Sequence, residues 1–187
     1  MGSFLRMKRP FFLEYLWGGC VYIHNKAITI LGIDPGYGRV GFGVIKLMGN
    51  KFSHTAHGVI ETSKKKDLPY RLNEIFESII EIIQQYNPEE ISIERLFFFK
   101  NVTTALAVSE ARGVIQLVSF REGLKIFEYT PFEIKQAVTG NGRAEKGQMQ
   151  RVLKMFLGLQ ATPKPDDAAD ALAAAICHAN SRGSYRR

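Results

Sequence analysis

Ile30-Leu31-Gly32-Ile33-Asp34-Pro35-Gly36 is an apolar run that ends on an acid and a turn. Residues 27–33 are apolar or β-branched apart from Gly32, which is typical of a strand buried on both faces of a sheet. Asp34-Pro35-Gly36 is turn chemistry, in which Pro fixes φ and Gly accepts positive φ. Sites in open α/β sheets lie just beyond the carboxyl ends of strands, so Asp34 is placed for chemistry. A simple turn residue is the alternative.

The remainder of the chain alternates between strand-like and helix-like segments. Two β-rich segments flank the turn Gly49-Asn50, so a hairpin extends the first strand into an antiparallel meander. Apolar residues at spacings of three and four then indicate helices, the first of which Asp67 caps and Asn87-Pro88 ends. The predicted elements are strands at 27–33, 39–47, 51–62, 89–94 and 124–129 and helices at 68–86, 102–120, 131–138, 145–157 and 166–178.

This order predicts an α/β fold. The sheet is expected to be mixed and five-stranded, with its first three strands in an antiparallel meander and helices on both faces. The predicted buried face of the helix at 102–120 consists of Ala105, Leu106, Ala111, Val114, Ile115 and Val118. His54, His57 and His178 are isolated in the sequence and are interpreted as structural.

Length and composition indicate one folded domain. The chain has 187 residues, of which 45% are hydrophobic, enough to bury a core. The formal net charge is +7, but residues 1–26 hold +3 of it and residues 182–187 another +3, so a polyanion-binding surface must come from local patches. Cys20 and Cys177 form no ligand cluster and fit a reducing cytoplasm. No run of about 18 apolar residues suggests a membrane span.

Residues 1–26 are interpreted as an extension outside the fold, because the first complete strand begins only at Ala27. Glu14 and Trp17 argue against an export signal in this stretch. We expect an upstream start assignment, with the natural chain beginning near Val21 or later, which mass spectrometry of the natural protein would test. The folded domain is predicted at 27–180 and a basic tail at 181–187.

Four acids lie where strands end or where the last helix begins. Asp34 ends the first strand and Glu94 ends the fourth, so the two would be neighbours if a right-handed crossover makes those strands parallel. Asp167 and Asp170 are three residues apart at the start of the last helix and therefore share one face.

Each acid also has a structural explanation. Glu94 could pair with Arg95 or Arg112, and the two helical aspartates could complement the helix dipole. Asp166 lies about 100° of helical rotation away from Asp167, so it is interpreted as an N-terminal cap or a dipole partner.

Taken together, the four acids indicate metal-dependent phosphoryl chemistry. Carboxylates that converge at one sheet edge repel one another without cations, and such hard oxygen ligands suit Mg²⁺ or Mn²⁺. Two ions about 4 Å apart activate a water and stabilise the leaving oxygen in phosphodiester cleavage. In the sequence, no His/Cys set and no GxxxxGK[ST] loop competes for this role.

Several motifs in a fixed order identify a family. Over about residues 27–180 the sequence resembles the RuvC family of Holliday-junction resolvases, within the ribonuclease-H-like superfamily. The motifs that carry the resemblance are Ile30–Gly36, Ile93–Phe97 with Lys100-Asn101, Glu110–Gly113, Phe127–Pro131 with Val138, Gly142–Lys146 and Asp167–Ala173. The resemblance implies a ribonuclease-H-like fold and a structure-selective endonuclease that cuts four-way DNA junctions symmetrically in recombination and repair.

The family's four catalytic acids fall on Asp34, Glu94, Asp167 and Asp170. By this resemblance the same acids would hold two Mg²⁺ ions per subunit, for which Mn²⁺ would substitute. Asp34 would bridge the ions, Glu94 and Asp170 would complete their ligand shells, and Asp167 would also orient the attacking water. The implied products carry a 5′-phosphate and a 3′-hydroxyl.

Aromatic and basic residues near the acids are candidates for DNA contacts. Phe97 opens a run of three phenylalanines, and aromatic faces stack on unpaired bases. The resemblance implies that Phe97 wedges into the junction centre, with a core or dimer contact as the alternative. Lys135, Arg143 and Lys146 are candidate phosphate contacts, and the two lysines match the family's DNA-binding lysines. A solvated helix start is the simpler explanation for Lys146.

The resemblance also implies partners. The helix at 102–120 would form a homodimer interface that places two active sites on opposite strands of a two-fold junction. The other partners are branched DNA and the RuvA–RuvB branch-migration complex, in the cytoplasm. Three alternatives stay open: a ribonuclease H that acts on hybrids, an actin-like ATPase, and a junction-binding protein without catalysis. The ATPase needs a second domain, and the intact acid quartet argues against the silent binder.

Overall fold

The computed structural model describes residues 26–95 and 102–182, with side chains from residue 105 onward in the second range. The strands are β1 (Ile28–Asp34), β2 (Arg39–Met48), β3 (Lys51–Glu61), β4 (Glu90–Glu94) and β5 (Lys125–Tyr129). The helices are α1 (Leu68–Tyr86), α2 (Val102–Arg121), α3 (Pro131–Thr139), α4 (Lys146–Phe156) and α5 (Asp166–Ser181). Every predicted element is present, with small shifts at the ends. No helix in these ranges is long and apolar enough to cross a membrane.

The five strands form one mixed sheet in the order β3-β2-β1-β4-β5. β2 pairs antiparallel with both β1 and β3, and β4 pairs parallel with both β1 and β5. This pairing confirms the predicted sheet and its antiparallel meander. Because β1 and β4 run in the same direction side by side, their carboxyl ends reach the same edge.

Helices cover both faces of the sheet, as predicted. α1 and α2 pack on one face, where Ile79 is fully buried, and α3, α4 and α5 pack on the other around Leu172. β1 lies between the two cores. Its Ile30 belongs to the α5 side and its Leu31 to the α1 side, and both side chains are fully buried. The apolar run is therefore a strand buried on both faces.

α5 lies very close to β1 and β2 because the residues that meet there are small. A Cβ on Gly32 of β1 would overlap the carbonyl oxygen of Ala171, and a Cβ on Gly41 of β2 would overlap the carbonyl oxygen of Asp167. Most of the alanines along α5 are fully buried. The direct contact at Gly41 brings the first turn of α5, with its acids, to the edge at which β1 ends.

Asp67 and Gly36 occupy the predicted cap and turn positions, but with different local interactions from those expected. Asp67 occupies the N-cap position of α1, but its side chain makes no capping hydrogen bond. Gly36 is not among the described residues with positive φ. Glycine is needed there because a Cβ would overlap the carbonyl oxygen of Arg39. Gly49, in the predicted hairpin turn, does have a positive φ of 59°.

One residue of the predicted buried face of α2 is exposed. Leu106 is 60% exposed, whereas most of the other predicted positions are buried or half-buried. Leu117 and Phe120 also face outward, at 55% and 74% exposure. α2 therefore carries an apolar outer surface as well as a buried one.

The histidines on β3 are not isolated from each other. The ring nitrogens His54 Nε2 and His57 Nδ1 lie 2.7 Å apart. Strand residues three apart ordinarily point to opposite faces, but the register of β3 against β2 shifts between Val44 and Ile45. This irregularity allows the two rings to meet.

A buried ionic cluster joins the end of α5 to the start of β4. His178 is fully buried, and its Nε2 lies 2.7 Å from a carboxylate oxygen of Glu90. Arg182 donates to both oxygens of Glu90, at 2.7 and 2.9 Å. The ring of Phe127 stacks on His178 at 4.0 Å. Arg182, assigned from sequence to the basic tail, thus packs with the folded domain.

Candidate active site

The carboxyl ends of β1 and β4 lie side by side. Ile33 is paired with Ile93 in the parallel register, and Asp34 and Glu94 are the next residues of the two strands. The parallel pairing that the sequence analysis required is therefore present. α5 begins beside these ends, since the backbone of Asp167 rests against Gly41.

The acids interact strongly with one another. Burial, followed by the charges of Glu94, Asp170 and Asp167, raises the pKa of Asp34 to about 8. Burial and then the charge of Asp170 raise the pKa of Glu94 to about 7. Burial likewise raises the pKa of Asp170, against the opposing charge of Lys146. Asp34 thus lies within electrostatic range of the other three predicted acids.

Among the described residues, Lys146 is the cation that comes nearest to these acids. Its Nζ lies 3.2 Å from Asp170 and 3.2 Å from Asp166. Partial burial alone would lower the pKa of Lys146, but the two aspartates raise it. Asp166 is the first residue of α5, after the N-cap Pro165, so its predicted role as a cap is wrong. It lies in the first turn of α5, where the alternative role as a dipole partner places it, and it pairs with Lys146.

A cleft of about 290 Å³ opens beside the acids. Its lining includes Glu94, Asp170, Lys135 and Lys146. Within the described ranges, no three His, Cys, Asp or Glu side chains are grouped closely enough to form a ready-made metal site. The donor set nevertheless fits a hard divalent cation, because buried carboxylates that raise one another's pKa gain most from a positive charge.

The predicted alternative in which Glu94 pairs with Arg112 is not supported. The guanidinium of Arg112 forms its ion pair with Glu128, on β5. Gln116 also donates to Glu128, at 2.6 Å. Arg112 therefore pairs with Glu128 rather than with Glu94.

Comparison with known proteins identifies the family. The family model described as crossover junction endodeoxyribonuclease RuvC matches residues 30–178. The chain belongs to the RuvC family. The crossover junction endodeoxyribonuclease RuvC of Petrotoga mobilis is 58% identical over 159 residues, which cover 85% of this chain and 98% of the relative. That of Thermotoga maritima is 50% identical over 153 residues, covering 82% and 91% of the two chains.

Solved structures agree with the RuvC assignment. The Thermus thermophilus RuvC in complex with Holliday junction substrate has a TM-score of 0.78 and 32% identity, over 81% of this chain and 93% of that one. A yeast mitochondrial Holliday junction resolvase, 14% identical over 84% of this chain and 81% of its own, has a TM-score of 0.61 and shares the fold. The predicted ribonuclease-H-like fold and the endonuclease function, the resolution of Holliday junctions by a phosphodiester hydrolase, are thereby confirmed. Metal dependence is general among RuvC nucleases.

The predicted DNA-contact residues of this RuvC chain differ in their placement. Lys135 and Lys146 line the cleft beside the acids. Arg143 lies in the loop between α3 and α4, where its side chain is exposed and does not line the cleft. Phe97 lies outside the described residues, as do residues 1–25 of the predicted extension and residues 183–187 of the predicted tail.

Local sequence explains how α3 presents Lys135. The helix begins with Pro131 after a capping box, in which the Thr130 hydroxyl accepts from the Glu133 backbone and the Glu133 carboxylate accepts from the Thr130 backbone. This start fixes the helix directly after β5, so Lys135 follows one turn later on the cleft side.

Sequence reasoning missed one basic residue at this edge. Arg39 is the first residue of β2, and its NH1 lies 3.8 Å from Asp167. The sequence could have placed Arg39 near Asp34, because a strand that pairs antiparallel with β1 begins where β1 ends. What the sequence did not reveal is that α5 places Asp167 against that same point.

Proposed function

We propose that Asp34, Glu94, Asp167 and Asp170 are the catalytic acids of this resolvase and that they hold two Mg²⁺ ions, for which Mn²⁺ substitutes. The observation that carries the proposal is that Asp34 and Glu94 end two paired parallel strands beside the first turn of α5, where burial and then the charges of Glu94, Asp170 and Asp167 raise the pKa of Asp34 to about 8. A cluster of this kind is stabilised by cations. When bound, the two ions would activate a water and stabilise the leaving oxygen of a phosphodiester.

The lysines of the cleft would bind the DNA backbone. Lys146 stands at the start of α4 and Lys135 faces Glu94 across the cleft. Ammonium groups at such positions contact phosphates without reading sequence. Lys146 pairs with Asp170 at 3.2 Å, and we expect this ion pair to separate when cations and DNA are bound. Arg143 and Phe97 remain candidate DNA contacts on the family resemblance alone.

Symmetrical cleavage requires two active sites, and we propose a homodimer that uses α2. Leu106, Leu117 and Phe120 are exposed apolar residues of this helix. Gly113 lies on the same helical face, and a Cβ there would have no atom within 4 Å in the described chain. An uncovered apolar stripe with a small residue at its centre suits close packing against a second copy.

Two wider proposals rest on membership of the family. A RuvA–RuvB branch-migration complex would be the partner that delivers the junction, and the cytoplasm would be the location. Neither depends on a particular contact within the described residues.

A synthetic four-way DNA junction tests the catalytic proposal. The natural sequence is expected to introduce paired symmetrical nicks with Mg²⁺, and EDTA or Asp34→Asn should abolish them while junction binding persists. Asp166→Asn is the matched control, because Asp166 neighbours the cluster but lies outside the proposed quartet. Binding without cleavage in Mg²⁺ and Mn²⁺ would contradict the metal-nuclease proposal, and equally fast cleavage of linear duplex or hybrid would contradict junction selectivity.

Sedimentation analysis tests the dimer. Leu117→Glu places a charge in the proposed interface and should yield monomers that bind junctions weakly and nick one strand at a time. Tyr70→Glu, at an exposed position on α1, is the matched control and should leave the oligomeric state unchanged. A Leu117→Glu protein that sediments like the natural sequence would place the interface elsewhere.

A further inference from the structure

Arg39 lies at the edge of the acid cluster, but its contact with Asp167 is too long for a hydrogen bond. Its Nε and NH2 atoms donate to one carboxylate oxygen of Glu61, at 3.0 and 2.6 Å. Its NH1 atom faces Asp167 at 3.8 Å, which is longer than a hydrogen bond. The side chain is 54% exposed. One edge of the guanidinium is therefore fixed by Glu61, and the other edge is open to solvent at the active site.

The backbone under Arg39 is firmly held. The Thr62 hydroxyl donates to the carbonyl oxygen of Tyr37 at 2.7 Å, and the Thr62 backbone donates to that of Gly38 at 3.1 Å. Arg71 donates to the same Tyr37 carbonyl at 3.1 Å and lies 4.5 Å from the centre of the Tyr37 ring. These bonds tie the loop that follows Asp34 to the far end of β3 and to α1, so the start of β2 is a rigid support.

The cations around the acids lie on two sides. Lys135 and Lys146 come from α3 and α4 and approach Glu94 and Asp170. Arg39 comes from the opposite side of the cluster, where β2 begins, and approaches Asp167. A phosphate that approaches the acids from either of these sides would meet a cation.

The chemistry of the open edge suits a phosphate. A guanidinium presents five N–H donors in a planar fork, so an arginine that uses one edge for a carboxylate keeps donors on the other. Hydrogen bonds from arginine to phosphate oxygens are among the stronger charge-assisted pairs. Glu61 orients the fork in advance, which reduces the side-chain entropy lost when DNA binds.

We propose that Arg39 binds a backbone phosphate of the strand being cleaved, on the β2 side of the acids, and that Glu61 positions it. This proposal rests on the proposed function, because it takes the acid cluster as the point at which DNA is cut. The alternative is that Arg39 and Glu61 form only a surface ion pair between β2 and β3, of the kind that contributes little to stability.

The salt dependence of junction binding distinguishes a phosphate contact of Arg39 from a simple surface ion pair. Binding of the full chain to a four-way junction would be measured in EDTA between about 50 and 200 mM salt, where each phosphate contact contributes about 0.9 to the slope of log K against log salt. Arg39→Gln should reduce that slope by about one and weaken binding about tenfold, with a melting temperature within about 2 °C of the natural sequence. Arg39→Lys should keep the slope, because it keeps the charge.

Two controls accompany these variants. Lys51→Gln removes a charge from the far end of the same β2–β3 hairpin and should leave the slope unchanged. Glu61→Gln keeps the Arg39 charge but loosens its orientation, so the slope should persist while the single-turnover cleavage rate falls.

The outcomes separate this proposal from the proposed function. An unchanged slope and affinity in Arg39→Gln, or a lowered melting temperature with an unchanged slope, would overturn the assignment of Arg39. The slope does not depend on cleavage. Junction binding without cleavage by the natural sequence would overturn the proposed function alone and leave the test of Arg39 valid.

Discussion

Glu90 and Glu94 are two glutamates on one strand, and their surroundings shift their pKa values in opposite directions. They begin and end β4, and residues four apart on a strand share a face. Burial pushes the pKa of Glu90 upward, but hydrogen bonds from His178 and Arg182 outweigh it and hold the value at about 2. Burial and the charge of Asp170 instead raise the pKa of Glu94 to about 7.

The difference lies in where the balancing charge comes from. Glu90 is satisfied within the chain, by a histidine and a bidentate arginine at the end of α5. Glu94 faces other acids, and the lysines nearby only partly offset them. A buried carboxylate with internal partners is costly to disrupt, whereas one left among like charges costs stability and favours an external cation. One strand thus carries a structural acid and a candidate catalytic acid.

The largest expected effect comes from Glu94→Gln. Removing this carboxylate should lower the rate of junction cleavage by about 10³-fold or more, equivalent to about 4 kcal/mol of transition-state stabilisation. The melting temperature should stay level or rise, because a repelled buried charge is lost. Single-turnover cleavage and thermal melts on the same sample measure both. Full activity in this variant would remove Glu94 from the site.

Glu90→Gln should have the opposite effect, with a loss of stability and little change in cleavage. Breaking a buried ion pair leaves Arg182 and His178 without their anion, so the free energy of unfolding should fall by about 3 kcal/mol. Cleavage by the folded fraction should change little, since Glu90 lies at the opposite end of the strand from the acids. Urea unfolding and cleavage well below the melting temperature test this. A stable Glu90→Gln protein that does not cut would show that the two ends are coupled.

Gly32→Ala should lower both the stability of the fold and the rate of cleavage. The new Cβ would overlap the backbone of α5 at Ala171, and overpacking of this kind costs about 1–3 kcal/mol. Because α5 carries both His178 and Asp170, stability and cleavage should fall in parallel. Gly147→Ala is the control, since its Cβ would meet only the flexible end of Arg151, 3.6 Å away. Loss of stability without loss of cleavage would mean that α5 shifts without moving its acids.

The pH dependence of stability in EDTA tests the raised pKa values of the two strand-end acids. Asp34 and Glu94 have folded-state pKa values of about 8 and 7, above their ordinary values of 3.8 and 4.5, so the folded state binds more protons. Stability in EDTA should therefore fall as pH rises from about 5 to 8 and then level off above the raised pKa values. Thermal melts from pH 5 to 9 measure this.

Asp34→Asn should flatten that slope, and added Mg²⁺ should reverse it. Glu90 has the opposite sign, because its pKa is lowered to about 2. Its contribution is complete above its ordinary pKa of 4.5 and is lost as pH falls toward 2. A metal-free protein whose stability rises between pH 5 and 8 would contradict the raised values for the acids.

Local patterns in the sequence were sufficient for the element order, the meander, the two strand-end acids and the family. Each of these depends on periodicity, on turn residues or on motifs within a few positions, which the chain carries whatever its tertiary contacts. The pair Asp34 and Glu94 was found in this way, because parallel strands must end at a shared edge.

Tertiary structure alone decided which charges are balanced. Glu90 meets His178 across 88 positions of sequence, and Arg39 approaches Asp167 only because Gly41 lets α5 rest on β2. Leu106 has the spacing of a core residue yet is exposed, since helical periodicity does not specify which face the rest of the molecule covers. Pairing and burial of charges depend on long-range packing, and single-residue patterns do not encode it.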